Sequence, residues 1–444
     1  MFRWIPYFLL TLCAHAAQPY LLLGPMVGHV GDSDARLWAR ASGPAQFSVL
    51  IGSKEDLSDG SIVKGLNPGE ASGFMTNVWV GGLKPGSRYY YCVLLDGQRA
   101  ISRPFPSFLT APPDGQPARV RFAFTSCVGF READSAAGWA DVATRTNIDM
   151  VFLLGDNHYA NTSDILKQRS FYHEQRNAAG YRDLTSRIPT YGIWDDHDYG
   201  PDNSDATLKG KEGSLKAFLE HWANPSYGEL DTPGVYFKFN RGNIDFWMLD
   251  VRYHRSPNKA TNLAHKTMLG DRQLAWLKQG LLASKAPVKI VASGSEFQTH
   301  GTDDSWKSFA DERDDLFGFI ETNQIQGVIL ISGDRHFTAG YQVKGKWIEI
   351  SSGPIGSSNA EAKSHAEMWT KYDKGKIYCV FDVDTRPSTP VVILEIYRAA
   401  EGLVERKAFT WDEVLGLAKI NPTPPPAAKP ATGGTNKPPA QSGK

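Results

Sequence analysis

Several features that mark specialised classes of protein are missing from this sequence of 444 residues. It has no excess charge, because 48 lysines and arginines balance 48 aspartates and glutamates and give a formal net charge of +0. That balance excludes a strongly basic nucleic-acid-binding protein. There is no internal repeat, and there are only 4 cysteines. What remains, 41% apolar and 22% charged residues, is the composition of an ordinary globular protein of two or three domains.

The amino terminus has the pattern of an export signal. Arg3 forms a short positive region, residues 5–13 are an apolar stretch too short to span a bilayer comfortably, and Ala-His-Ala at 14–16 is a pattern that signal peptidase recognises. We therefore predict a signal peptide over residues 1–16 and export to the periplasm or the extracellular medium. No transmembrane segment is expected after its removal. An uncleaved membrane anchor is the alternative.

Export would leave three cysteines in the mature chain, an odd number in an oxidising compartment. Cys92 and Cys379 lie in strand-like segments, where a buried cysteine usually behaves as a small apolar residue. Cys127 instead opens a loop after a predicted strand, which makes it the unusual one. The sequence leaves open whether Cys92 and Cys379 pair, and whether Cys127 is a buried thiol or pairs with one of them.

Turn residues and composition divide the chain into regions. Short strands separated by turns fill residues 20–111, which predicts a small all-β sandwich of the immunoglobulin or fibronectin type. A linker rich in proline and glycine follows at 111–117. Residues 118–418 alternate strands with helices and predict a layered α/β domain. Residues 419–444 are rich in proline and cannot bury a core, so we predict a disordered tail.

Hydrophobic periodicity locates elements within the α/β region. Helices are predicted at 139–146, 163–177 and 214–222, and another begins at Asp271. Strands are predicted at 120–124, 148–154, 244–249, 288–292, 328–331 and 347–351.

Three acidic segments each follow an apolar, strand-like run: GDNHY at 155–159, WDDHD at 194–198 and GDRH at 333–336. The carboxyl ends of strands in a layered α/β protein open onto one edge of the sheet, where such proteins bind ligands. A lone aspartate after a strand is commonly a helix cap or a turn residue. Capping does not explain why all three segments contain both an aspartate and a histidine. The pattern predicts a site for two metal ions that share a carboxylate and lie about 3.5–4 Å apart.

The chain resembles the alkaline phosphatase D (PhoD-like) family, a branch of the calcineurin-like metallophosphatases that is related in chemistry to purple acid phosphatases. Its motifs, in the family's order, are TSC at 125–127, GDxxY at 155–159, WDDHD at 194–198, MLDxR at 248–252, LGxxQxxWL at 269–277 and GDxH at 333–336. The resemblance covers residues 24–397. It implies an α/β layered metallophosphatase domain, with a β-sandwich core flanked by helices, after the small all-β sandwich.

The resemblance also implies a set of metal ligands. Those of a ferric ion (Fe3+) would be Cys127, Asp156, Tyr159 and His336. Those of Ca2+, or of another second metal, would be the oxygens of Asp156, Asp196 and Asp334. The alternatives are that Tyr159 is a core or rim aromatic residue and that Cys127 is a structural thiol.

The function implied is that of an exported phosphoric ester hydrolase, which cleaves phosphomonoesters, phosphodiesters or both by attack of a metal-bound hydroxide. His197 would stabilise the transition state or protonate the leaving oxygen, and Arg252 would contact a phosphate oxygen. A structural Asp250–Arg252 pair is the alternative for this arginine. The competing function is that of a non-catalytic exported protein that binds carbohydrate or a cell-wall partner through aromatics such as Trp38 and Trp79.

Overall fold

The computed structural model describes residues 18–422 except 132–134, 179 and 262–264. The predicted signal peptide and residues 423–444 of the predicted tail lie outside the described residues. An all-β domain is followed by an α/β domain with two mixed sheets flanked by helices, and this order confirms the predicted fold class. Within the described ranges, none of the helices has both the length and the apolar character needed to cross a membrane.

The amino-terminal domain consists of two sheets. Its strands are β1 (Leu21–Val30), β2 (Asp34–Ala41), β3 (Phe47–Gly52), β4 (Ser61–Lys64), β5 (Met75–Gly81), β6 (Arg88–Leu95), β7 (Gln98–Arg99) and β8 (Ser107–Leu109). One sheet has the order β1-β2-β5 and the other β4-β3-β6-β7, with β8 also paired to β6. Alternate residues such as Leu37, Val49 and Val93 form their shared core, as the two-residue period of a half-buried strand requires.

Two aromatic residues of this domain join it to the second domain. Trp38 is fully buried, and its Nε1 donates a hydrogen bond to the carbonyl of Glu220 at 2.7 Å. Tyr91 is also buried, and its hydroxyl donates to the carbonyl of Ser186 at 2.6 Å. Trp79, by contrast, is 47% exposed.

The second domain stacks two mixed sheets. Its strands are β9 (Arg119–Thr125), β10 (Met150–Leu154), β11 (Thr190–Ile193), β12 (Phe237–Arg241), β13 (Ile244–Met248), β14 (Val288–Ser293), β15 (Val328–Ser332), β16 (Thr338–Val343), β17 (Trp347–Ser351), β18 (Met368–Tyr372), β19 (Ile377–Asp384), β20 (Val391–Arg398) and β21 (Gly402–Phe409). One sheet has the order β11-β10-β9-β19-β20-β21 and the other β12-β13-β14-β15-β17-β16-β18. Aromatic rings fill the interface, where Phe122 and Phe152 of the first sheet lie 5.4 and 5.5 Å from the ring of Phe246 in the second.

Helices cover the outer faces of these sheets. They are α1 (Ser135–Ala143), α2 (Ile165–Asn177), α3 (Tyr181–Thr185), α4 (Asp196–Tyr199), α5 (Lys211–His221), α6 (Asp271–Ala283), α7 (Ala310–Thr322) and α8 (Trp411–Val414), with 3-10 helices at Glu70–Ser72 and Trp306–Phe309. Leu277 of α6 and Phe317 of α7 share an apolar cluster with Val291 and Leu330 of the second sheet. Helices α2 and α3 contact β1, and α5 contacts β5, so these three helices lie against the amino-terminal domain.

Parallel strands in both sheets place the loops that carry the predicted ligands. Strands β9, β10 and β11 are parallel, as are β13, β14, β15 and β17. Cys127, Asp156 and Asp196 follow the ends of β9, β10 and β11, while Asp250 and Asp334 follow β13 and β15. Because the carboxyl ends of parallel strands lie at one edge of a sheet, groups far apart in sequence become neighbours.

Candidate metal centre

The loops at this edge bring together two groups of atoms that could bind metal ions. Ligand atoms of Cys127, Asp156 and His336 lie within 4.8 Å of one another, and so do those of Asp156, Asp196 and His197. Asp156 belongs to both groups. Its carboxylate is therefore placed where two ions would share it.

Tyr159 and Asp334 lie at the same point. The Tyr159 hydroxyl is 3.1 Å from Nε2 of His336, 3.4 Å from Oδ2 of Asp156 and 3.2 Å from Oγ of Ser357. Asp334 and Asp156 line one cavity. The structure thus gathers all six residues that the resemblance names as metal ligands.

The backbone is left-handed at four of these six residues. The φ angle is +55° at Cys127, +51° at Asp156, +73° at Asp334 and +55° at His336. Residues other than glycine rarely adopt this region, and each instance costs on the order of 1–3 kcal/mol. Strain of this kind clusters at catalytic and ligand-binding sites. The backbone therefore marks the same location as the side chains.

Glycines in two of the motifs let the loops approach closely. A Cβ atom on Gly155, where φ is +103°, would lie 2.5 Å from Cβ of Asp195. A Cβ atom on Gly333 would lie 2.6 Å from Cβ of Ser126 and 2.8 Å from the carbonyl oxygen of Leu154. Side chains at these positions would push the loops apart, so both GD pairs need glycine before the aspartate.

His197, at the start of α4, has one ring nitrogen fixed and the other available. Its Nδ1 lies 2.6 Å from Oδ1 of Asn161, whose backbone N–H donates to the carbonyl of His197 at 3.2 Å. Because an amide oxygen only accepts, Nδ1 carries the proton in this pair. Nε2 lies 3.8 Å from Oδ1 of Asp202, and both residues line the cavity. Nε2 is therefore the nitrogen available for proton transfer.

The site concentrates buried carboxylates. Burial, reinforced by neighbouring carboxylates, raises the pKa of Asp156 and of Asp334 well above the usual value. Burial also raises the pKa of Asp195 to about 7, although Arg252 opposes it. For Asp196 burial acts in the same direction, but Arg252 and other partners outweigh it and lower the pKa to about 2. The site therefore has more buried acidic groups than it can ionise without added positive charge.

The residues present fit bound cations. Oδ1 of Asp156 is buried and, among the described residues, has no hydrogen-bond partner; a cation would satisfy it. Burial raises the pKa of the Cys127 thiol well above its usual value, and coordination to a metal would deprotonate it. Thiolate, phenolate and imidazole groups suit a transition metal, whereas the oxygens of Asp196 and Asp334 suit a hard cation.

Arg252 does not line the cavity beside the predicted metal ligands. It is fully buried, its Nε donates to Oδ1 of Asp195 at 2.5 Å, and its Nη1 and Nη2 donate to Asp304 at 3.1 and 2.5 Å. The expected contact with Asp250 is made by the backbone N–H of Arg252, at 2.9 Å, and not by the guanidinium. The structure therefore gives Arg252 a supporting position behind Asp195, where burial between two carboxylates keeps it from the cavity.

A buried hydrogen-bond network beneath the site explains the presence of Asp250 in the MLDxR motif and of Gln273 in the LGxxQxxWL motif. Asp250 accepts hydrogen bonds from Nε1 of Trp194 at 2.8 Å and from the backbone N–H of Tyr253 at 3.0 Å. Gln273 accepts from the backbone N–H of Asp250 at 2.8 Å and donates to its carbonyl at 2.7 Å. Trp194, Asp250 and Gln273 are identifiable in the sequence only as parts of motifs, and Tyr253 lies outside them. Asp304, which anchors Arg252, lies outside every motif, so no sequence signal indicates it.

Cys127 is fully buried and Tyr159 lines a smaller pocket, whereas a cavity of about 610 Å³ is lined by Asp156, Asp196, His197, Asp334 and His336. The other residues that line it are Asp202, Asn203, Asn258, Lys259, Thr302, Asp303, Asp304, Arg335 and Ala360. Asn203 donates its backbone N–H to Oδ2 of Asp196 at 2.8 Å. Arg335 is 20% exposed at its side chain, and its Nε lies 3.5 Å from Oε2 of the buried Glu296. The cavity therefore contains an arginine, although it is not the one that the resemblance indicated.

Comparison with known sequences finds similarity over most of the chain. The PhoD-like phosphatase family matches residues 122–379, and a domain of unknown function, DUF7800, matches residues 18–112. Alkaline phosphatase D of Bacillus subtilis (strain 168) is 24% identical over 307 residues, which cover 57% of this chain and 52% of that protein. Purple acid phosphatase 23 of Arabidopsis thaliana is 27% identical over 232 residues, or 47% of this chain and 45% of that protein. The chain thus spans about half the length of these curated relatives.

Solved structures have the same fold. The structure of PhoD matches with a TM-score of 0.71 and 18% identity over 89% of this chain and 93% of that chain. The purple acid phosphatase from yellow lupin (Lupinus luteus) seeds matches with a TM-score of 0.66 and 16% identity, over 93% of this chain and 78% of that chain. At these identities the likeness establishes the fold alone.

Proposed function

The chain belongs to the PhoD-like phosphatase family, and from this premise we propose that it is a metal-dependent hydrolase of phosphoric esters. The observation that carries the proposal is the position of Asp156, whose carboxylate is common to two groups of potential ligands at one cavity. The proposed substrates are phosphomonoesters, phosphodiesters or both. The chemistry of the donors supports this class of substrate, because bound cations would offset the acidic lining of the cavity and attract a phosphate ester.

The two metals are assigned by the chemistry of their donors. The proposed ligands of Fe3+ are Cys127, Asp156, Tyr159 and His336. The proposed ligands of Ca2+, or of another hard cation, are Asp156, Asp196 and Asp334. Bound cations would supply Lewis acidity, which activates water and neutralises charge on phosphoryl oxygens.

His197 is the proposed proton donor. With Nδ1–H held by Asn161 at 2.6 Å, Nε2 carries a proton only in the imidazolium form. That proton would pass from Nε2 to the oxygen of the departing alcohol, and the imidazole would become neutral. The contact with Asn161 fixes the orientation of the ring, so that the chemistry needs no rotation of the side chain.

Arg335 is the proposed phosphate contact, in place of Arg252. It lines the cavity beside Asp334 and His336, and its side chain is 20% exposed. Glu296 holds the guanidinium from behind through Nε. An arginine held in this way can direct donors at a phosphate oxygen. Arg252 would act indirectly, by holding Asp195 and Asp304 in place.

Hydrolysis of nitrophenyl phosphate and of bis(nitrophenyl) phosphate tests the proposal. The purified protein is expected to contain iron, to cleave at least one of the two esters, to lose activity on chelation and to regain it when Fe3+ and Ca2+ are restored. A tyrosinate–iron absorption band should disappear in Tyr159→Phe. If neither ester is cleaved by the metal-loaded protein, the proposed function is wrong, and a colour that survives in Tyr159→Phe removes Tyr159 from the iron ligands.

A further inference from the structure

A second group of metal-binding side chains lies outside the proposed catalytic centre. It consists of His300, His365 and Glu367, whose ligand atoms lie within 4.8 Å of one another. His300 belongs to the segment 294–305, between β14 and the 3-10 helix Trp306–Phe309, while His365 and Glu367 belong to the segment 352–367, between β17 and β18. The group thus joins two loops that are distant in sequence.

The three side chains are oriented by their surroundings. Glu367 accepts from the backbone N–H of Thr299 at 2.8 Å and from that of Lys344 at 2.7 Å, so its carboxylate is fixed. The His365 ring stacks on Tyr341, with centroids 5.4 Å apart and planes 11° apart. Its Nδ1 is buried and, within the described part of the chain, has no hydrogen-bond partner. The ring of His300 lies 4.6 Å from that of His365.

We propose that His300, His365 and Glu367 form a binding site for a first-row transition metal of the Zn2+ type, which clamps the loops 294–305 and 352–367 together. Two imidazoles and one carboxylate are the ligand types of zinc sites that keep a position for water. Ca2+ and Mg2+ prefer oxygen ligands alone and would not select this group. The chemistry of this site therefore differs from that of the hard-cation position in the cavity.

Binding a metal requires the three ligand atoms to move closer together. Ligands at about 2.0–2.1 Å from one tetrahedral ion lie about 3.4 Å apart, and the present separations are at most 4.8 Å. His300 is exposed and can rotate, whereas the backbone contacts of Glu367 and the stacking of His365 fix the other two ligands. The metal would therefore draw His300 toward a preformed pair.

Both clamped loops also form walls of the catalytic cavity. Thr302, Asp303 and Asp304 come from the first segment, and Ala360 comes from the second. A metal at His300 and His365 would therefore restrain one side of the cavity without touching its ligands. This places the site where it would affect the rigidity of the rim.

Equilibrium dialysis against Zn2+ tests the site. The control variant is His265→Ala, which removes an exposed histidine outside the group. The wild type and this control should each bind one more Zn2+ per chain than His300→Ala or His365→Ala. The affinity of this site for Zn2+ should fall at least about 100-fold in His300→Ala and in His365→Ala, because losing a ligand costs more than the 10–100-fold that is lost with a residue that only hydrogen-bonds a ligand. Because His300 is exposed, His300→Ala is the variant expected to fold normally. Equal zinc binding by the wild type and His300→Ala overturns the proposal.

Two further measurements separate this site from the proposed catalytic centre. Asp156→Ala should keep the zinc that depends on His300, so loss of phosphatase activity and loss of this site are distinguishable. Amide hydrogen exchange in 294–305 and 352–367 should slow when Zn2+ is added to the wild type and stay unchanged in His300→Ala. Zinc binding without slower exchange in either loop would contradict the clamp.

Discussion

At the residue scale, His197 has two chemical roles open to it, and the structure gives each a physical basis. Its ligand atom lies within 4.8 Å of those of Asp156 and Asp196, which is compatible with a metal ligand. Its Nδ1 is bound to Asn161 at 2.6 Å, which leaves Nε2 for proton transfer. The family resemblance favours the second role, and the two roles differ in what the protein loses when the imidazole is removed.

Replacing the imidazole separates these roles. His197→Ala is expected to retain both metals and to lower kcat by about 10²–10⁴-fold, the usual contribution of a positioned general acid. Asn161→Ala, which frees the ring but keeps it, should cause a smaller loss. Metal content and kcat measured on the same samples decide the matter. Loss of a metal ion from His197→Ala would make this residue a ligand.

At the element scale, the helix α6 is tied to the end of β13 by one side chain. Gln273 is fully buried and makes two hydrogen bonds to the backbone of Asp250, at 2.8 and 2.7 Å. Asp250 in turn accepts from Trp194, the residue before the WDDHD acids. Helix α6 carries none of the proposed metal ligands, yet it holds in place the loop after β13 and, through Trp194, the segment that carries the WDDHD acids.

Gln273→Ala should destabilise the protein without removing any cavity group. It leaves a backbone N–H and a carbonyl buried without partners, each at a cost of about 1–3 kcal/mol, so the free energy of unfolding should fall by roughly 2–6 kcal/mol. Gln279→Ala, at an exposed position of the same helix, is the matched control and should change it by less than about 0.5 kcal/mol. Urea unfolding of both variants is the measurement, and equal stabilities would refute the proposed tie.

Apolar runs predicted some elements well because burial alone decides them. Strand β17 has the predicted bounds, and β14 and β15 each extend one residue beyond the prediction, since parallel strands buried on both faces read as continuous apolar segments. Helix α7 was not predicted. Its first turns carry Asp311, Glu312 and Arg313, and only three apolar residues, Leu316, Phe317 and Ile320, face the core, so a short window contains little periodic signal.

At the scale of the whole molecule, equal numbers of basic and acidic residues hide an uneven distribution. Asp156, Asp195 and Asp334 are buried at one edge of the sheets, and Glu296 and Glu349 are buried close to them. The net charge cannot reveal this cluster of buried acids, because it counts charged residues without regard to where they lie in the fold. The clustering of strand-end acids could be predicted from the sequence, but their exact partners, such as Asp304 with Arg252, could not, since these depend on loops without motifs.

One buried acid gives the stability of the whole chain a measurable pH dependence. Burial, and then the neighbouring Glu296, raises the pKa of Glu349 from 4.5 to about 8. Between these values the folded protein holds a proton that the unfolded chain has lost, so the free energy of unfolding falls as pH rises. From pH 6.5 to 8 this group should lower it by about 1.5 kcal/mol. Below pH 6.5, buried histidines such as His29, with a pKa of about 4, add an opposite trend.

Glu349→Gln should remove this contribution. Oε1 of Glu349 accepts from the backbone N–H of Phe297 and the hydroxyl of Ser332, while Oε2 is buried and, in the described chain, has no hydrogen-bond partner. Glutamine keeps the accepting oxygen and resembles the protonated acid. Urea unfolding should therefore show that the substitution increases the free energy of unfolding more at pH 8 than at pH 6.5. An increase of the same size at both pH values would contradict the raised pKa of Glu349.

We propose that the carboxylate of Asp156 is shared by two metal ions that carry out ester hydrolysis. The decisive measurement is the metal content of Asp156→Ala together with its rate of nitrophenyl ester cleavage, beside those of Asp164→Ala, which removes only the exposed cap of α2. We expect Asp156→Ala to lose bound metal and at least about 10³-fold in kcat/KM, whereas Asp164→Ala should keep both. An Asp156→Ala protein that hydrolyses these esters at the wild-type rate would show that hydrolysis does not depend on a shared carboxylate.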